Sequence, residues 1–93
     1  MANRYWVGGS GTWDTTATAN WSASSGGASG ASAPTSADAV FIDANSGGGT
    51  VTLGENVSIL TLTLTGFTGV LDWVNYKILL LGTAAVVFTG ATT

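Results

Sequence analysis

From Val57 to Thr65 the chain reads VSILTLTLT. Leu60, Leu62 and Leu64 alternate with Thr61, Thr63 and Thr65. A period of two sends alternate side chains to opposite faces of an extended strand, so this segment predicts a half-buried β-strand. Shorter runs of the same kind predict strands at Arg4–Val7, Asp38–Asp43 (DAVFID), Thr50–Leu53 (TVTL), Val70–Trp73, Tyr76–Leu81 and Ala85–Phe88. Nowhere do apolar residues recur at i, i+3, i+4 and i+7, and Gly, Thr and Val outweigh the strong helix formers. The pattern predicts an all-β domain.

Glycine and serine punctuate these runs. Residues 22–37 (SASSGGASGASAPTSA) are low in complexity and hold the only proline, Pro34. Such a stretch reads as a long surface loop, and loops of this length are uncommon in compact domains unless they pack on something. The expected partner for it is a neighbouring chain. The segment divides a single domain, 1–93, into an aromatic part at 1–21 and a β-rich part at 38–93. Within the latter, LTLTG (62–66), ILLLG (78–82) and VVFTG (86–90) repeat a strand-then-glycine phrase at steps of 16 and 8 residues. Short strands with glycine at the corners fit a short β-solenoid, a β-helix-like stack in which each coil covers the last. They fit a small β-sandwich with a long Gly/Ser loop equally well.

Composition narrows the function more than the fold. Only 8% of the residues are charged, against a usual value of about 25%. A surface of Thr, Ser, Gly and Ala can be buried on a partner without stranding charges, which favours an assembly component over a free monomer. The net charge is −3, and Arg4 and Lys77 are the only cations. Too few cations are present to release counterions from nucleic acid or to hold an anionic membrane surface. With no Cys and no His, disulfides, thiolate metal sites and histidine-based catalysis have no residues to use. No cofactor site and no enzymatic activity are expected. The last phrase, VVFTGATT, follows a strand directly. That arrangement leads to the expectation of further chain, or of another subunit, over the last strand edge.

The aromatic part holds Trp6, Trp13 and Trp21 within RYWVGGSGTWDTTATANWS (4–22). Two roles compete. The rings can stack on sugar, with Asp14 and Asn20 as hydrogen-bonding groups, or they can anchor a segment with few other apolar side chains. Between Trp13 and Trp21 only alanines are apolar, so the anchoring role is preferred. Trp73 lies in an alternating run and reads as core or interface. The acidic residues Asp14, Asp38, Asp43, Glu55 and Asp72 show no spacing that implies a catalytic pair. Asp38 and Asp43 flank loops and read as acceptors of backbone N–H groups. DANSGGGTVTLGE (43–55) opens like a calcium loop but has glycine at its twelfth position, and GGSGTW (8–13) lacks the lysine of a phosphate loop, so both read as turns.

Taken together, RYWVGGSGTWD, NWS, PTSADAVFID, SILTLTLTG and YKILLLG resemble the opening of large tailed-phage structural proteins, the fibre, appendage and decoration components. A weaker similarity is to the start of autotransporter β-helix passengers. The segment MANRYWV has no apolar run of signal-peptide length, which favours the phage set. The resemblance implies a β-helical virion protein made in the host cytoplasm, with Trp6, Trp13, Trp21 and Asp38 beginning or capping the solenoid. It implies a capsid-decoration or fibre-base module, trimeric or otherwise homo-oligomeric, bound to other capsid or tail subunits. Two alternatives belong to other classes: a carbohydrate-binding module using Trp13 and Trp21, and the front of a polysaccharide-degrading tailspike.

Overall fold

The computed structural model describes residues 2–72, 74, 76–82 and 86–89. They form an all-β fold of ten short strands: β1 (Asn3–Trp6), β2 (Gly11–Trp13), β3 (Trp21–Ser22), β4 (Ala39–Phe41), β5 (Thr50–Leu53), β6 (Val57–Ile59), β7 (Thr61–Thr65), β8 (Val70–Asp72), β9 (Ile78–Leu80) and β10 (Val86–Thr89). No helix occurs among the described residues.

The strands sort into three sheets. The first has the order β10-β7-β4-β1-β3, the second β2-β5-β8, and the third β6-β9. From β4 onward the chain visits them in rotation, first, second, third, and each strand lies beside its counterpart from the previous circuit. Ala39 pairs with Thr61, Thr50 with Val70, Val57 with Ile78 and Leu62 with Val86, so successive circuits advance by 20 to 24 residues. Every pairing is parallel except that of β1 with β3. Parallel stacking puts equivalent residues in rows. Val40 and Leu62 form one buried row, Val51 and Leu71 another, and Val57 lies beside the partly buried Ile78. Thr61, Thr63 and Thr65 face outward, where hydroxyls meet water.

This arrangement corrects two sequence expectations. Val57–Thr65 is not one strand. The chain bends at half-buried Leu60, which ends β6 on the third sheet and starts β7 on the first. Ile59, Leu62 and Leu64 are fully buried, and Leu60 is not aligned with them. Each half alternates on its own, with Val57 and Ile59 facing inward before the bend and Leu62 and Leu64 after it.

Second, the repeat is not the 16-and-8 spacing of the glycine phrases. Leu62–Thr65 and Val86–Thr89 are equivalent, since they pair residue for residue, whereas Ile78–Leu80 belongs to another sheet. Within segment 22–37, the stretch around 31–34 packs on its own chain, while most of 23–30 and 35–37 is exposed. Ala33 and Pro34 are buried and Ala31 packs on the core. Ala31 N donates to Trp21 O at 3.1 Å. The Arg4 guanidinium donates to the Ser32 carbonyl and hydroxyl, both at 2.8 Å.

Glycines stand where one circuit crosses close above the last. A Cβ on Gly69 would collide with the Gly49 carbonyl oxygen, and one on Gly82 would lie 2.7 Å from the Leu60 carbonyl oxygen. Circuits a strand spacing of about 4.8 Å apart leave no room for a side chain pointing along the stacking direction at these corners.

Candidate functional site

The first circuit differs from the later ones. Asn3 pairs with Ala39 and Gly11 with Val51, steps of 36 and 40 residues against 22 and 20 on the next circuit, so this circuit carries 14 to 20 extra residues. The extra chain is β3 and the Ser/Gly segment, and it supplies no strand for the third sheet. It folds back instead: β3 runs antiparallel along the outer edge of β1, with Trp6 opposite Trp21.

The three tryptophans meet there. Trp21 contacts Trp6 edge-on, with ring centroids 5.2 Å apart at 90°, and Trp13 at 5.3 Å and 73°. All three are buried, at 0–1% exposure. Trp13 occupies the row of Leu53, its paired residue on the next circuit. Where no earlier circuit lies beneath, larger rings fill the interior that aliphatic side chains fill elsewhere. The Trp6 indole N–H donates to Gly9 O at 2.6 Å, whereas that of Trp13 has no acceptor. Buried rings of this kind present no face to a sugar, so carbohydrate recognition by Trp13 and Trp21 has no surface to act through. Trp73 lies outside the described residues.

Asp38 is not part of this cluster but fastens the same end of the chain. Its carboxylate accepts N–H bonds from Ala2 at 3.2 Å and Thr35 at 2.8 Å. Burial opposes ionisation, but the amides of Thr35 and Ala2, with Arg4 nearby, outweigh it and hold the carboxyl below its ordinary range. Asp14 is also lowered, chiefly by the amides of Ala17 and Thr16. Asp43 accepts from Ser25, Asn45 and Ser46, Glu55 from Thr15, and Asp72 from Val74. Each carboxylate thus fixes a turn or a loop. Among the described residues there is no group of three or more metal-ligating side chains and no ligand-sized cavity. No described helix is long and apolar enough to cross a membrane.

The opposite end is different in kind. β8, β9 and β10 are the last strands of the three sheets, and each is paired on one edge only among the described residues. The exposed large apolar side chains gather beside them: Val74 at 53%, Tyr76 at 40%, Leu79 at 56% and Leu81 at 52%. Leu79 lies beside Ser58 of the previous circuit, so an outward hydroxyl gives way to an outward leucine in the last one. Sequence reasoning treated Tyr76–Leu81 as an ordinary strand and overlooked this patch. The signal was the unbroken run ILLL, which makes both faces of a strand apolar where the rest of the chain alternates. No protein-family model, no curated protein and no solved structure matches this chain.

Proposed function

We propose that this chain is the capped beginning of a β-solenoid and acts as a non-enzymatic structural module of a tailed-phage virion, in a capsid decoration or a fibre or appendage base. The observation that carries the reading is the contrast between the two ends. One is packed by the three tryptophans and residues 31–34 and covered on the first sheet by β3, with β2 and β6 paired on one edge only among the described residues. The other offers three strand edges beside four exposed apolar residues. The rotation of the chain through three sheets, with parallel register at steps of 20 to 24 residues, supports the solenoid. Unpaired edges and a surface with few charges suit a module that acts through contact with other subunits. The virion setting follows from the resemblance of RYWVGGSGTWD and the later motifs to phage structural proteins.

The test is location. Antibody raised against the purified chain should decorate particles from the source phage in negative-stain images, at a repeated site on capsid or tail. Label confined to the particle-free lysate would overturn the proposal.

A further inference from the structure

We propose that residues 27–30 are a site of proteolytic processing, cut between Ala28 and Ser29, and that the cut molecule stays whole, with the first circuit held as a separate, non-covalent piece.

The segment suits a protease cleft. Residues 23–30 are exposed except for half-buried Gly27. Among the described residues, neither Ala28 nor Ser29 takes part in a hydrogen bond from its backbone. Gly30 has φ of 105°, and no atom lies within 4 Å of where a Cβ would stand. Exposed tips of small residues are the preferred places for nicking. The other exposed loops are tied down. The amides of Thr15, Thr16 and Ala17 donate to Glu55 or Asp14, and Thr35 and Asp38 bond each other in both directions. At 46–49 the turn is short, Ser46 is buried and Gly47 lies against Gly9.

The residue types select the class of enzyme. Arg4 and Lys77 are the only cations, so a trypsin-like protease has no target in this segment. Ala28 and Ser29 fit a serine protease with a shallow specificity pocket. Water adds across the one peptide bond, leaving a carboxylate on Ala28 and an amine on Ser29.

Both new ends stay fastened, because hydrogen bonds cross the cut on either side. Ser25, upstream, donates to the Asp43 carboxylate at 2.7 Å. Ala31, downstream, donates its amide to Trp21 O at 3.1 Å. Further in, β1 pairs with β4 and β2 with β5, Tyr5 stacks on Phe41 at 4.7 Å and 17°, and Ala2 is bound by Asp38. All three tryptophans belong to the upstream piece, and Trp13 lies beside buried Leu53, so the rings that pack this end of the interior are untouched by the cut. Two parallel strand pairings and this burial give the pieces a contact of ordinary protein–protein kind. Cutting therefore makes the first circuit a replaceable part, bound by mass action and no longer by the chain.

Limited digestion of the whole 93-residue chain with elastase is the test. The earliest product, mapped by intact mass, should carry a single cut between Gly27 and Ala31. The two pieces should co-elute in gel filtration at about 10 μM and part only in urea. The cut molecule should keep the tryptophan emission and far-ultraviolet circular dichroism of the intact chain. Its melting temperature should rise with protein concentration, because unfolding now releases two bodies. The double variant Ala28→Pro, Ser29→Pro, with unchanged circular dichroism, should lose intact chain about ten times more slowly, since a proline after the scissile bond blocks serine proteases. Resistance of the wild type, a first cut outside 27–31, release of either piece in native buffer, a melting temperature independent of concentration, or equal digestion of the folded proline variant would overturn the inference.

Discussion

Asp38 accepts the backbone amide of Ala2 at 3.2 Å, across 36 residues of sequence, and so fastens the first strand to the second circuit. The Asp38 carbonyl in turn accepts Leu60 N at 2.9 Å. One residue thereby joins three successive circuits at the corner where each enters the first sheet. Its carboxyl is lowered in the folded state, so its stabilising effect is full above the unfolded value of about 3.9 and fades as pH falls through the lower folded value. Asp38→Asn should cost about 1 kcal/mol at pH 7 after solvent screening. Urea titrations at pH 7 and pH 3 should show the gap between variant and wild type narrowing in acid. A gap of equal size at both values would count against this role.

The tryptophan cap carries a large share of the stability of a chain this small. Trp21 bridges the other two rings and is 1% exposed, so Trp21→Ala should cost about 3–5 kcal/mol. That is comparable with the whole stability expected of a 93-residue domain, and the variant should lose cooperative thermal unfolding. Retention of a sharp transition near the wild-type Tm would contradict the placement.

Trp6 and Trp13 separate packing from hydrogen bonding. Phe in either place leaves a similar void. Trp6→Phe also leaves the Gly9 carbonyl without its donor, while Trp13→Phe removes an indole N–H that had no acceptor. Trp6→Phe should be the more destabilising by about 1–2 kcal/mol in denaturant melts. Equal losses would show that the Trp6–Gly9 bond contributes nothing net.

The corner glycines make a similar contrast. Gly69→Ala drives a methyl into the Gly49 carbonyl and should cost about 2–3 kcal/mol. At Gly48 the nearest atom to an added Cβ is the Thr68 hydroxyl at 3.4 Å, and φ is not positive, so Gly48→Ala should be neutral or stabilising by about 0.5 kcal/mol. Calorimetry of the pair checks the close passage of circuits.

Val74 has φ of 56°, where β-branched residues are rarely found, and its side chain is 53% exposed. Asn tolerates this region, so Val74→Asn should raise the unfolding free energy by about 0.5–1 kcal/mol. A lower Tm would place the benefit of valine in contacts and not in the backbone.

Much of this was legible in the sequence. Alternation in TVTL and LTLTL marked strands because one face of each is buried and the other meets water. The shortage of apolar residues around Trp13 and Trp21 marked them as anchors, and both are buried. Asp38 and Asp43 read as loop acceptors from their neighbours alone, and their hydrogen bonds are of that kind. β2 and β3, at three and two residues, are too short for any periodicity to register. The patch at 74–81 was missed because exposure depends on which faces neighbouring circuits cover.

The sequence by itself determined that the chain is β-structured, that Asp38 and Asp43 tie loops, and that Trp6, Trp13 and Trp21 serve as anchors. Those properties are local: side-chain alternation, turn chemistry and the supply of apolar surface act over a few residues. Tertiary structure alone decided that VSILTLTLT bends at Leu60, that part of the Ser/Gly segment packs on its own first circuit, and that the tryptophans gather at one end while the exposed apolar side chains lie beside the last strands. Parallel pairing joins residues 20 or more positions apart, and its register is set by how each circuit packs on the one before, which no short window of sequence records.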